Sequence, residues 1–119
     1  MLKAKLPNTY LEKTYTREDH GFEGIAWSRE TLESFLSDPA VNKVVILGGD
    51  ILKKDKQGRL TYTYDSWAVS ARSPAEPYDE YCKRSRDKAH EYLKIMRKGD
   101  DIFIAPVLTD EATAGLHAK

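Results

Sequence analysis

The sequence predicts an α+β domain in which a small, mainly antiparallel sheet packs on one long helix. Three observations support this fold class: an unbroken apolar run at 44–47, an alternating strand soon after it, and an apolar stripe with helical spacing in the second half of the chain. With 119 residues, of which 40% are hydrophobic, the chain is large enough to bury one core. We therefore expect one domain over 1–119, with weakly patterned termini at 1–20 and 109–119.

A short helix is predicted at 29–37. Ser28 is a good N-cap, because its hydroxyl can accept a hydrogen bond from a free amide of the first turn. Three apolar residues then fall at the spacing of one helical face: Leu32, Phe35 and Leu36. Pro39 ends the helix, because the residue before a proline disfavours helical backbone angles.

The next two elements form a predicted hairpin, 43–52 with 59–65. The first strand is apolar without alternation, which is typical of a strand covered on both faces and predicts a central position in the sheet. In the second strand, polar residues alternate with three large side chains, and we expect the face they share to be buried: Leu60, Tyr62 and Tyr64.

The apolar stripe predicts a long helix at 77–98. Ser73 and Glu76 have the spacing of a capping box, although Pro77 also allows the helix to begin one turn later. Gly99 is the predicted C-cap.

A final strand is predicted at 101–108. It contains Pro106, which lacks an amide hydrogen and therefore predicts an edge position in the sheet. We expect the helix at 77–98 to lie across one face of a sheet whose central strand is 43–52.

The charges of the chain balance, with 19 Lys and Arg residues against 19 Asp and Glu residues. A neutral chain argues against general nucleic-acid binding, which usually requires a basic excess. The absence of a long apolar run argues against a membrane span or a signal peptide, so we expect a cytoplasmic protein that does not bind membranes. The single cysteine, Cys82, excludes an internal disulfide.

The residue types that catalyse reactions do not form a recognisable group. On the long helix, Cys82 and His90 would lie about 12 Å apart along the axis and about 80° apart around it, too far for a nucleophile and its base. The histidines lack the spacing of metal ligands: His20, His90 and His117. We therefore predict no catalytic residue, no metal and no cofactor.

The segment Gly48-Gly49-Asp50, at the end of the apolar run, admits two interpretations. In a small nucleotide- or metal-dependent enzyme, the glycines would let a phosphate approach the backbone, Asp50 would hold a metal ion, and His20 would assist. Alternatively the glycines are structural, because a bulge or close packing leaves no room for a Cβ atom. The packing interpretation is favoured, since no phosphate-binding motif surrounds the pair.

Four short motifs follow one another along the chain. They are Gly24-Ile25-Ala26-Trp27 before the Ser-capped helix, Ile46-Leu47-Gly48-Gly49-Asp50, Tyr62-Thr63-Tyr64-Asp65-Ser66-Trp67, and Tyr81-Cys82-Lys83-Arg84-Ser85 with Ala89 and Tyr92. In this order and spacing they resemble the Imm40-type immunity proteins of bacterial polymorphic toxin systems, over about 21–107. Two positions depart from the family's pattern: Ser66 where Asn is expected, and Cys82 where Val is usual.

The resemblance implies a cytoplasmic antidote that binds and neutralises the C-terminal domain of a cognate toxin, without catalysis of its own. Many toxins of these systems are nucleases, whose basic clefts an antidote can block with carboxylates and aromatic anchors. The candidate partner-binding residues are Asp50, Tyr64, Asp65, Trp67, Asp79 and Glu80. The alternative for Trp67 is core packing, and for Asp79 and Glu80 it is a favourable interaction with the helix dipole. A small adaptor domain is a third function class.

Overall fold

A three-stranded antiparallel sheet and two helices make up most of the fold, which confirms the α+β class. The structure is a computed structural model that describes residues 6–11, 14–15 and 24–110. Its elements are β1 (Thr14–Tyr15), β2 (Gly24–Ile25), α1 (Arg29–Ser37), β3 (Val45–Lys54), β4 (Leu60–Ala68), α2 (Tyr78–Ile95) and β5 (Ile102–Thr109), with 3-10 turns at Asn8–Tyr10 and Pro39–Val41. Most of the predicted weakly patterned termini, together with His20 and His117, lies outside the described residues.

The predicted central position of β3 is confirmed. The strand order is β4-β3-β5 with antiparallel pairing on both sides, while β1 and β2 form a separate two-stranded sheet. Ile46 and Ile51 pack in the core that the helices cover, and Leu52 packs in a second cluster with Ala26 and Leu60. All five side chains are buried. The unbroken apolar run therefore belongs to a strand that is covered on both faces.

As expected from its apolar stripe, α2 lies across one face of the sheet. Ala89 and Leu93 share a core with Ile46, and the Ile46 amide donates to the Ser85 hydroxyl at 3.4 Å. Cys82 packs in a neighbouring cluster on β3. In the described part of the chain, no helix is long and apolar enough to cross a membrane.

The bounds of α1 agree with the prediction. The Thr31 amide donates to the Ser28 hydroxyl at 3.2 Å, so Ser28 is the N-cap. The rings of Trp27 and Phe35 pack against each other with centroids 5.0 Å apart, and both side chains are fully buried. The residue before the cap and the second turn of α1 therefore form the aromatic centre of the core.

Arg86 ties α2 to the chain between α1 and β3. Its guanidinium donates to the carbonyl oxygens of Phe35 and Val44, each at 3.2 Å, and to that of Val41. Burial lowers the pKa of Arg86 from its ordinary value. The three carbonyl groups replace the water that burial removes, so this cation holds α1 and its connection to β3 against α2.

The limits of α2 differ from the predicted 77–98. The helix begins after Pro77, which is the later of the two starts that the sequence allowed. It ends at Ile95, and the predicted cap at Gly99 is wrong, because Met96 adopts extended backbone angles of φ −67° and ψ 153°. The side chain of Met96 is buried in the main core, which accounts for the early exit from the helix.

Glu76 stabilises the connection between β4 and α2 instead of capping the helix. Its carboxylate accepts two hydrogen bonds of 2.9 Å from the Arg84 guanidinium. Arg84 also donates to the Ser70 carbonyl oxygen at 3.1 Å and to the Ser70 hydroxyl at 2.9 Å. The hydrogen bond from Arg84 holds the pKa of Glu76 below its ordinary value. Together these bonds hold the connection on the surface of α2.

The strand β4 continues past its predicted end, and its tyrosines are exposed where the alternation predicted a buried face. Asp50 pairs with Ser66 and Leu52 with Tyr62, so three residues of β4 stand opposite one residue of β3. We call this irregularity the β4 bulge, residues 63–65. The bulge takes Tyr64 out of the ladder, whereas Tyr62 stays paired with Leu52 and is exposed on that face.

At the other edge of the sheet lies β5, as Pro106 predicted. Pro106 stands opposite Gly49 in the ladder. The outer side of β5 is partly covered by Trp27, whose amide and carbonyl groups each form a 2.7 Å hydrogen bond with Ile104. This edge is therefore less open to a partner strand than the edge formed by β4.

The glycine pair of β3 is structural, which confirms the packing interpretation. A Cβ atom on Gly49 would lie 2.7 Å from two ring atoms of Trp67, and one on Gly48 would lie 2.2 Å from the Trp67 carbonyl oxygen. Gly48 also has a φ of +154°, which side chains rarely allow. The indole of Trp67 therefore lies directly on the backbone of β3.

We expect Gly49→Ala to lower the free energy of unfolding by about 1–3 kcal/mol, the usual cost of overpacking a core. The added methyl group meets the far end of the Trp67 indole. The same substitution should therefore cost clearly less in a Trp67→Leu background. Urea denaturation of the wild type, both single variants and the double variant measures the two costs. Equal costs would show that the indole is not what excludes the methyl group.

We expect Glu76→Gln to lower stability near pH 7 and to have a smaller effect near pH 3. The folded-state pKa of Glu76 lies below its ordinary value of 4.5, because Arg84 donates to the carboxylate. Its stabilising effect is thus present above that ordinary value and is lost as the pH falls through the lower, folded-state pKa. Thermal unfolding at both pH values measures the difference. Glu80→Gln is the matched control, because the described residues offer Glu80 no ion-pair partner, and it should show no such difference.

Candidate functional site

The six candidate partner-binding residues do not form one cluster. Tyr64 and Asp65 lie in the β4 bulge, and Asp79 and Glu80 lie in the first turn of α2. Asp50 and Trp67 lie in the paired part of the sheet. The bulge and the helix turn are exposed. The candidate site is therefore built from separate exposed regions on a common scaffold.

The β4 bulge presents Tyr64 to solvent. Tyr64 has a φ of +69°, in the left-handed region that bulky side chains rarely adopt, and its residue surface is 95% exposed. The neighbouring Thr63 hydroxyl donates to the Ile51 carbonyl oxygen at 2.9 Å and accepts from the Asp65 amide at 3.2 Å. Side-chain hydrogen bonds thus replace part of the ladder that the bulge interrupts.

Asp65 joins the bulge to the chain just after α2. Its carboxylate accepts hydrogen bonds from Arg97, at 2.9 Å from Nη2 and 3.1 Å from Nε. Both side chains are about half exposed. An exposed ion pair contributes only about 0–1 kcal/mol to stability, so its main effect is to position the two side chains.

Trp67 lies in the core and not on the surface. It is 7% exposed and stacks on Tyr92 of α2, with ring centroids 5.0 Å apart and an angle of 22° between the ring planes. Trp67 is therefore a core residue, which is the second of the two interpretations that the sequence allowed. Its indole nitrogen has no hydrogen-bond partner among the described residues.

A groove of about 650 Å³ runs along α2, beside the chain that follows β4. Glu80 lies in this groove, next to the ion pair of Glu76 and Arg84. Farther along, Lys83 pairs with Asp87 at 2.7 Å. The groove contains both acidic and basic side chains. The residues that line it are Ala68, Val69, Ser70, Glu76, Glu80, Lys83, Arg84, Asp87, Lys88 and Glu91.

Asp79 lines a different part of the surface. It forms an exposed ion pair with Lys43 and lies along a smaller cleft of about 370 Å³, together with Cys82 and His90. Asp79 and Glu80 are therefore neighbours in sequence that line two different clefts. The sequence predicts one patch for them, because the first turn of the helix brings both carboxylates to the same end of α2.

Asp50 is partly buried in the middle of β3. Its partners in the ladder are Ser66 on one side and Ala105 on the other. Ala105 packs with Leu52 in the second cluster, on the sheet face away from the main core. Asp50 therefore belongs to that face, whereas Asp65 is directed to Arg97 at the end of α2.

The sequence analysis did not anticipate three further exposed residues. Ile95 at the end of α2 is 78% exposed, and Tyr62, expected to be buried, is 52% exposed. Arg97 pairs with the bulge. The exposure of Ile95 could have been predicted from the sequence, because Ile95 falls outside the apolar stripe of the long helix, which includes Met96. No signal of this kind distinguishes Tyr62, which is paired with the buried Leu52 and is nevertheless exposed.

The structure places the cysteine and the glycine pair of the sequence analysis in packed surroundings. Burial raises the pKa of the Cys82 thiol, so it is protonated at neutral pH and is a poor nucleophile. Among residues 6–11, 14–15 and 24–110, no group of three His, Cys, Asp or Glu side chains could hold a metal ion. The space beside the glycine pair is filled by Trp67, which leaves no room there for a phosphate.

Comparison with known protein families agrees with these observations. No curated protein and no solved structure matches the chain. The family model described as immunity protein 40 (Imm40) matches residues 17–108, which include both helices and almost all of the three-stranded sheet. The match therefore covers most of the chain and every candidate residue named above. The chain belongs to the immunity protein 40 family.

Proposed function

We propose that this chain binds the C-terminal domain of one cognate toxin and neutralises it by occlusion, without catalysis of its own. The observation that carries the proposal is its membership of the immunity protein 40 family. The exposed Tyr64 on the β4 bulge supports it, because tyrosine is enriched at the hot spots of protein–protein interfaces. The proposal includes a cytoplasmic location, which is where such an antidote would meet the toxin.

The proposed toxin-binding surface consists of the β4 bulge and the groove along α2. Contacts between β4 and the helix make the two regions parts of one face. Near its beginning, α2 is bonded to Ser70 through Arg84, and just after its end the chain is bonded to Asp65 through Arg97. The helix thus runs back along β4, so a toxin domain that covers the groove can also reach the bulge.

A nuclease is the toxin class that we propose for this surface. Carboxylates can take the positions of phosphates in a basic nuclease cleft. Glu80 and Glu91 are exposed in the groove and have no ion-pair partner within the described residues. Because the whole chain has no net charge, this acidity is local. In this proposal, Asp79 lies at the margin and Trp67 supports the surface from within the core, whereas Asp50 lies on the opposite face of the sheet and is not part of the surface.

The rival function, a small enzyme built on Gly48-Gly49-Asp50, has lost its structural basis. The glycines pack against Trp67 instead of lining an open site. His20, the third residue of that hypothesis, lies outside the described residues. No observation favours the adaptor alternative over the family function.

The direct test uses the C-terminal domain of the polymorphic toxin that is encoded beside this chain. We expect the chain to form a complex with that domain in titration calorimetry. We also expect co-expression of the chain to restore growth to cells that produce the domain. A wild-type chain that neither binds nor protects would overturn the proposed function.

Charge reversal tests the contribution of the first turn of α2. We expect the combined variant Asp79→Lys and Glu80→Lys to weaken binding by about tenfold or more, with a larger loss at low salt. Glu30→Lys is the matched control, because Glu30 occupies the first turn of α1. It should lose a similar stability of about 0.3–1 kcal/mol through the helix dipole and leave binding unchanged. Full protection and unchanged affinity in the double variant would remove Asp79 and Glu80 from the interface.

A further inference from the structure

Tyr64 is the one described non-glycine residue with a positive φ, and it is also the most exposed large hydrophobic residue. Backbone strain of this kind costs about 1–3 kcal/mol and persists only where the surroundings impose it. A tyrosine that packs against nothing gives the folded chain no compensating burial. The tyrosine ring itself therefore contributes little to the stability of the free protein.

The surroundings impose this conformation through hydrogen bonds on both sides of the bulge. The Thr63 hydroxyl bonds to Ile51 of the central strand and to the Asp65 amide, and the Asp65 carboxylate bonds to Arg97. Beyond the bulge, Trp67 rests on Gly49. The strained residue is thus held between a buried strand and α2, so the tyrosine ring is presented from a rigid base.

We propose that Tyr64 is the anchor of the toxin interface, held in place before binding by the β4 bulge, and that it inserts into an apolar pocket of the toxin domain. This inference rests on the proposed function and adds the partner's chemistry to it. Because hydrogen bonds already hold the backbone at Tyr64, binding loses little backbone entropy there, and this lower ordering cost favours affinity. Tyrosine is also among the residues most often found at interface hot spots.

The surroundings of Tyr64 favour an apolar pocket over a charged one. The adjacent carboxylate, that of Asp65, is already neutralised by Arg97. Tyr62, on the same strand just before the bulge, is a second exposed aromatic residue. A pocket with apolar walls and a polar rim matches this arrangement, in which a large ring projects beside a paired acid and base.

Addition of a toxin strand to the sheet is a poor alternative. Strand addition requires a regular row of free amide and carbonyl groups along an edge. On the β4 edge, the bulge and the left-handed backbone of Tyr64 interrupt that row. On the β5 edge, Trp27 already occupies both backbone groups of Ile104. The partner therefore binds through side chains.

The experiment measures the affinity of the same toxin domain for variants at position 64. We expect Tyr64→Ala to weaken binding by at least about thirtyfold, the loss expected of a hot-spot residue. Tyr64→Phe should bind within about threefold of the wild type, because an apolar pocket recognises the ring. Tyr62→Ala is the matched control on the same strand, and its loss should be clearly smaller than that of Tyr64→Ala.

Stability measurements separate an anchor from a structural residue. Glycine adopts a φ of +69° without strain, so Tyr64→Gly should unfold at the same or a higher temperature than the wild type while binding as weakly as Tyr64→Ala. A marked loss of stability in Tyr64→Gly would overturn the inference. Wild-type affinity in Tyr64→Ala would overturn it too, and so would equal losses in Tyr64→Phe and Tyr64→Ala. In each of these cases, binding of the wild-type chain to the toxin domain would still support the proposed function.

Discussion

The contact of Trp67 with the glycine pair of β3 is the constraint on which the rest of the structure depends. The indole lies where a Cβ atom of Gly49 would be, so β4 is held against β3 in one register. Tyr92 stacks on the same indole and thereby places α2 on the sheet. Tyr62 is the last residue of β4 that pairs with β3 before the bulge, and the pairing resumes at Ser66. The residues between these two positions lie outside the ladder. The β4 bulge is the consequence of holding both ends of this strand in place.

Two arginines of α2 attach the neighbouring segments of chain to this framework. Arg84 binds Glu76 and Ser70, which hold the connection that leads into the helix. Arg86 satisfies the carbonyl groups at the end of α1 and before β3. The two side chains bond on different sides of one helix, so α2 organises most of the fold. The bonds of Arg84 lie in the wall of the groove, so the same side chains that attach the connection to α2 also shape that surface.

In the proposed function the chain binds its toxin without catalysis, so its affinity depends on how little conformational freedom is lost when the complex forms. The bulge is well suited to this requirement. It keeps Tyr64 exposed in a single backbone conformation, beside an ion pair that is already formed. The zero net charge of the chain also fits a partner that is recognised by shape and by local charge, since long-range attraction contributes little.

The sequence by itself determined the elements whose signals are local. The cap at Ser28 and the apolar periodicity set the bounds of α1, and the unbroken apolar run identified β3 as the central strand. The motif order also identified the family, which the family model confirms. Only the tertiary structure decided that α2 ends at Ile95 and that Asp79 and Glu80 line different clefts. It alone decided that Trp67 is buried while Tyr64 is exposed, because both depend on a cross-strand register set by packing between residues far apart in sequence.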